Sequence, residues 1–196
     1  MLVLASASPR RQELLRNAGI AFEVLPTDIP EIPEPGEAPR NFAERLARAK
    51  ARAAAQQRPH DTILGADTIV VVDGSILGKP SDTADAARML RLLSGKTHQV
   101  TTAVCLLTPK TQLVPAVMED MRSETTLVTM NELSDSDILF YAQSGEPMDK
   151  AGAYAIQGIA SRWIPRIEGD YSNVVGLPVS LVYRMLREHG VLVDGK

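Results

Sequence analysis

The stretch Thr62-Ile63-Leu64-Gly65-Ala66-Asp67-Thr68-Ile69-Val70-Val71-Val72-Asp73-Gly74-Ser75-Ile76-Leu77 decides the fold. Residues 62–72 are mostly apolar and β-branched and read as a strand. Asp73-Gly74 is the dipeptide favoured in tight two-residue hairpins, so residues 75–77 return antiparallel, and Gly78-Lys79-Pro80 ends the pair. A hairpin in a chain that also alternates strands with helices predicts an α/β fold with a mixed, strongly twisted sheet. A purely parallel Rossmann sheet is disfavoured.

Upstream, residues 2–5 form a short buried strand, broken by Ser6-Ala7-Ser8-Pro9. A helix over residues 10–18 follows, with Ser8 as N-cap, Pro9 at its first position and Gly19 as its stop. Residues 22–25 can form a strand. Residues 26–39 hold five prolines and four acidic residues and cannot be regular, so a loop long enough to carry function is predicted there. Residues 41–57, with Phe42, Leu46 and Ala49 in phase, predict an amphipathic helix. Downstream, helices are predicted over residues 83–93, 134–143 and 178–188, and strands over 99–108, 124–130 and 163–167.

The 196 residues, 44% of them apolar, suit one domain over residues 1–196, or one with a closely packed lobe. No apolar run approaches the roughly 18–20 residues needed to cross a bilayer, and the N-terminus lacks a basic leader, so a cytosolic protein is expected. The net charge of −3, without clustered lysines and aromatics, speaks against a nucleic-acid polymer as partner. Cys105 lies alone in an apolar run and is expected buried in a strand. His60, His98 and His189 lie far apart, so no zinc site is expected and solvated or structural roles suit them.

Three segments point to chemistry. Arg10 and Arg11 occupy the first turn of a helix, where the dipole disfavours positive side chains. With Ser8 and the helix-start amides they could cradle a phosphate, although a solvated basic turn would carry the same residues. Neither GxGxxG nor GxxxxGK[ST] follows the first strand, so dinucleotide and P-loop binding are not indicated. Asp67 sits inside an otherwise apolar strand, costly unless the carboxylate binds a cation or is hydrogen-bonded to amides. Lys79, at the end of the hairpin, could return toward that acid or be a surface lysine. In Asp149-Lys150-Ala151-Gly152-Ala153-Tyr154-Ala155-Ile156-Gln157-Gly158, small residues allow close backbone packing, and the Gln157 amide could read a base or cap a nearby backbone group.

In order along the chain, the sequence resembles the Maf family in Leu4-Ala5-Ser6-Ala7-Ser8-Pro9-Arg10-Arg11, the acidic loop ending at Glu31, Leu46-Ala47-Arg48-Ala49-Lys50-Ala51, Gly65-Ala66-Asp67-Thr68 and Gly78-Lys79-Pro80. The resemblance continues in Ser94-Gly95-Lys96-Thr97-His98, Gly145-Glu146-Pro147-Met148-Asp149-Lys150-Ala151-Gly152, Ile156-Gln157-Gly158 and Asn173-Val174-Val175-Gly176-Leu177-Pro178. It says least about residues 30–40 and 109–122.

The resemblance implies a fold similar to the inosine triphosphate pyrophosphatases, two lobes flanking a nucleotide cleft, often a homodimer, and a nucleoside triphosphate pyrophosphatase. Gln at position 157 resembles the dTTP/UTP branch, whereas the 7-methyl-GTP branch carries Glu there. On that reading Asp67 is the general base and, with Glu31, holds a divalent metal, Mg²⁺ or Mn²⁺. Arg10, Arg11, Lys50 and Lys79 clamp the triphosphate, Ser8 completes the cradle, and Thr68 and Gln157 select the base. The rival readings are a hydrolase of sugar nucleotides, purine triphosphates or 7-methyl-GTP, and a septum-formation regulator that binds nucleotide without turnover.

Overall fold

The computed structural model describes residues 1–109 and 117–192, so the central part of the variable stretch 109–122 lies outside the described residues. Along the chain run β1 (Leu2–Leu4), α1 (Pro9–Asn17), β2 (Glu23–Val24), α2 (Pro39–Gln57), β3 (Thr62–Val72), β4 (Ser75–Leu77) and α3 (Thr83–Leu93). Then come β5 (Thr97–Thr108), β6 (Met118–Thr129), α4 (Asp135–Gln143), β7 (Arg166–Glu168), α5 (Tyr171–Val175) and α6 (Val179–Glu188). The strand order is β2-β1-β3-β5-β6-β7, with β4 paired to β3. Parallel pairing of β1 with β2 and β3 coexists with antiparallel β3–β4 and β6–β7 pairs, the mixed sheet that the sequence predicts. The turn between β3 and β4 has φ of 49° at Asp73 and 76° at Gly74. Positive φ at both central residues is what a type I′ hairpin turn requires.

The chain divides into two compact units. Unit 1 comprises Met1–Asp67, Thr102–Glu124 and Gly176–Lys196, and unit 2 comprises Thr68–Thr101 and Thr125–Val175. In unit 1, Leu4, Leu15, Leu64, Leu106, Leu177 and Met185 are fully buried in one core. Helix α2 lies directly on β3: a Cβ at Gly65 would stand 2.3 Å from the Ala47 carbonyl oxygen and 2.8 Å from Ala51. Only glycine permits that approach. The buried face of α2 repeats at Phe42, Ala43, Leu46, Ala47, Lys50, Ala51 and Ala54, so helical periodicity carries Lys50 onto the side that meets the strand. In unit 2, α3 and α4 pack Leu90, Leu93, Ile138 and Tyr141 into a separate core with Val100, Val128 and Met130.

Several elements differ from the sequence pattern. β6 begins at Met118, six residues before the predicted strand at 124, because residues 118–123 are polar or half-exposed and give no apolar signal. Residues 146–163 hold three 3₁₀ turns, Glu146–Asp149, Ala151–Ala153 and Ile159–Trp163, so the strand predicted over 163–167 shrinks to Arg166–Glu168. Cys105 is buried in β5, as its surroundings predict. No helix among the described residues is long and apolar enough to cross a membrane.

Candidate active site

The first cluster lies in unit 1 and grows from the packing at Gly65. Two residues along β3, on the same strand face, stands Asp67, 5% exposed. The Lys50 ammonium donates to Asp67 Oδ1 at 2.6 Å and to Glu31 Oε1 at 2.7 Å, so one cation bridges an acid from the strand and one from the irregular acidic loop. The cost of burying Asp67 is therefore offset by an ammonium. Burial pushes the Asp67 carboxyl above its usual range, Glu31 adds to the rise, and Lys50 and Arg11 pull it back.

Arg11 joins this cluster electrostatically. Burial pulls its guanidinium down from the usual value while Asp67 and Glu31 hold it up. Those two acids supply the anionic compensation that a basic first turn demands, since no acidic residue lies in that turn itself. Arg11 also has structural partners that sequence reasoning missed: its Nε donates to the Gly176 carbonyl at 2.7 Å and its Nη1 to Ser6 Oγ at 3.1 Å.

At the helix start the amides of Arg11 and Gln12 already have partners. Ser8 is the N-cap, as predicted, and accepts from Arg11 N at 3.5 Å; Pro9 has no N–H, and Gln12 N bonds to Ser8 O at 3.3 Å. The Ser8 and Arg10 side chains beside them are half-exposed.

The structure thus links Ser8, Arg11, Glu31, Lys50 and Asp67 within unit 1. Thr68, Lys79 and Gln157 belong to unit 2. Thr68 follows Asp67 on β3, and Lys79 is exposed after β4, where Gly152 N donates to Gly78 O at 3.0 Å. That bond ties Gly78-Lys79-Pro80 to the Lys150–Gly152 motif. Gln157 is exposed at a turn closed by Gly158 N on Ala155 O at 3.1 Å. Asn173 of the last motif donates from Nδ2 to Val100 O at 2.9 Å and to Thr126 Oγ1 at 3.0 Å, a tie inside unit 2. His98 is buried and meets the Tyr154 hydroxyl at 2.8 Å, a structural role.

The family profile described as Maf-like protein matches residues 1–189. The chain belongs to the Maf family. It is 58% identical to the dTTP/UTP pyrophosphatase of Koribacter versatilis, over 97% of this chain and 95% of that one. It is 51% identical to the dTTP/UTP pyrophosphatase of Syntrophomonas wolfei, over 95% of this chain and 96% of that one. Among solved structures, the Ham1 protein of Staphylococcus aureus covers 96% of this chain with 98% of its own, at a TM-score of 0.50 and 16% identity. A HAM1 protein from Coxiella burnetii gives a TM-score of 0.50 and 19% identity over 95% of this chain and 98% of that one. These structural likenesses speak to the fold, and they agree with the mixed α/β architecture of this Maf-family chain.

Proposed function

We propose that this Maf-family chain hydrolyses nucleoside triphosphates between the α and β phosphates, releasing a nucleoside monophosphate and pyrophosphate, with dTTP and UTP as its preferred substrates. The observation that carries the reading is the buried Lys50 ammonium shared by Asp67 and Glu31 beside Arg11, in a chain whose relatives are named dTTP/UTP pyrophosphatases. A carboxyl lifted above its ordinary range by burial suits a general base, because proton acceptance improves as the pKa approaches the working pH.

A divalent cation, Mg²⁺ or Mn²⁺, is part of the proposal. Glu31 and Asp67 would hold it, and its charge would neutralise the phosphates. The residues fit: both carboxylates already converge on one cation, and among the described residues no three acids, histidines or cysteines gather into a complete cage. A pair of carboxylates suits an ion that takes its remaining ligands from substrate phosphates and water. Arg10, Arg11, Lys50 and Lys79 bind the triphosphate, with the Ser8 hydroxyl as a further donor. Thr68 and Gln157 meet the base. The Gln157 amide both donates and accepts, which in one orientation matches a carbonyl and the N3–H of uracil or thymine, and in that same pose leaves the N3 and amine of cytosine unpaired. The same reading expects a cytoplasmic homodimer, and light scattering tests the dimer.

The deciding experiment is a pyrophosphate-release screen over common and modified nucleoside triphosphates with Mg²⁺ or Mn²⁺. Highest kcat/KM for dTTP and UTP is expected. A preference for 7-methyl-GTP or a purine triphosphate, or no turnover at all, would overturn the assignment.

A further inference from the structure

Gln157 is presented by a short segment with no regular structure, yet both ends of that segment are held. At one end Ala155 N donates to the Tyr141 hydroxyl at 3.1 Å. At the other, Ile159 N donates to both carboxylate oxygens of Glu146, at 3.1 and 3.3 Å. The two anchors are joined, because the Tyr141 hydroxyl donates to Glu146 Oε1 at 2.8 Å. Tyr141 is fully buried on the inner face of α4, edge-on to Trp163 at 5.6 Å, so the phenol oxygen is a fixed point. Gly158 completes the arrangement: a Cβ there would fall 2.1 Å from Glu146 Oε1, a distance no side chain tolerates.

A half-buried carboxylate served by a phenol and a backbone amide, with no lysine or arginine ion pair among the described residues, is a costly way to satisfy a loop. What it fixes is the direction of the one exposed side chain between the anchors. We propose that Tyr141 and Glu146, with Gly158 leaving them room, are positioning residues that set how tightly Gln157 discriminates among pyrimidine bases. The proposal rests on Gln157 meeting the base, as argued above.

The test measures kcat and KM for dTTP and CTP in wild type, Gln157→Ala, Tyr141→Phe and Gly158→Ala. Tyr141→Phe keeps the ring and its contact with Trp163 and removes only the bridging oxygen. Gln157→Ala should lower the dTTP over CTP ratio of kcat/KM by about 10-fold or more, the scale of a lost base-pairing amide. Tyr141→Phe and Gly158→Ala should lower the same ratio by roughly 5-fold through KM, with kcat for dTTP within about 3-fold of wild type. If Gln157→Ala lowers the ratio and Tyr141→Phe does not, the positioning role is overturned while the base contact stands. If Gln157→Ala leaves the ratio unchanged, both fall. Should Gly158→Ala fail to fold, Tyr141→Phe decides alone.

Discussion

In unit 1 the Lys50 ammonium bridges two acids at 2.6 and 2.7 Å, with Arg11 close enough to act on both; in unit 2 the Glu146 carboxylate is held by a phenol and an amide. The first cluster sets charge against charge in a buried place, so removing one member leaves another unpaired and the penalty is large. The second sets neutral donors around one acid, so removing one member loosens a loop without stranding a charge. On the proposed function, charge in unit 1 would serve chemistry on phosphates, and geometry in unit 2 discrimination of the base. Substitutions in the two units should therefore fail in different ways.

The largest effect is expected where the unit 1 cluster is built. Gly65→Ala drives a methyl to 2.3 Å from the Ala47 carbonyl, and neither strand backbone nor helix backbone can yield cheaply. The loss of stability should reach about 3 kcal/mol, the upper end for overpacking. Lys50 moves away from Asp67 with the helix, so whatever folds should be nearly inactive. Chemical denaturation and pyrophosphate release measure the two parts. A stable, fully active Gly65→Ala protein would mean that α2 does not position the site.

Next comes Asp67→Asn, which keeps the size but removes the proton acceptor and one of the two acids on Lys50. Turnover should fall by at least about 10²-fold at saturating metal, the lower end for loss of a general base. Near wild-type turnover would refute Asp67 as the base.

The two arginines sharpen the comparison within unit 1. They look equivalent in sequence, yet Arg11 holds the Gly176 carbonyl and Ser6, whereas Arg10 is half-exposed. Arg10→Ala should leave the melting temperature of the apo protein unchanged or raised, because it removes a positive charge from the wrong end of a helix. Its catalytic efficiency should drop about 10-fold, the scale of one charge-assisted hydrogen bond. Arg11→Ala should lose activity and also about 2 kcal/mol of stability, since it removes the buried bonds to the Gly176 carbonyl and the Ser6 hydroxyl. Equal melting temperatures for the two variants would erase the distinction.

The contrast between the units also explains what the sequence reveals. An acid in the apolar run 62–72 and two arginines starting a helix are local contradictions, visible without any partner, and Asp67 and Arg11 both resolve into the unit 1 cluster. The β3–β4 hairpin is equally legible, because Asp73-Gly74 states its own turn. Lys50 is different: Ala47 and Ala51 mark its helix face, but only the family motif assigns it a role. The Tyr141–Glu146 bridge was missed, because a tyrosine in a helix and a glutamate after a glycine contradict nothing locally. Glu146 and its partner Ile159 lie in 3₁₀ turns too short to leave a periodicity, Ala155 lies in the irregular stretch between two such turns, and α5, of five residues, escapes for the same reason. At α1 the Ser8 cap and the Ser8 carbonyl already hold the amides of Arg11 and Gln12, partners that the sequence pattern does not display.

The last effect is a pH slope that belongs to unit 2. His98 is 2% exposed, Nε2 meets the Tyr154 hydroxyl, and Nδ1 has no partner among the described residues. Burial without an acid beside it lowers its pKa from 6.5 to about 4. Above pH 6.5 the ring is neutral in both folded and unfolded chains and contributes no pH dependence. Between pH 6.5 and about 4 the unfolded chain takes up a proton that the folded chain refuses, so stability falls as the pH falls and levels off below that window. The slope approaches, at its steepest, the linkage value for one proton, about 1.4 kcal/mol per pH unit. His98→Gln keeps a polar partner for Tyr154 and cannot titrate. Urea midpoints of wild type and variant should therefore converge on acidification, with the wild type losing more between pH 6.5 and 5. Carboxylates titrate alike in both proteins, so the difference isolates the histidine. Parallel curves would show that His98 protonates in place, and unit 2 would then be no more acid-labile than the charge-paired cluster of unit 1.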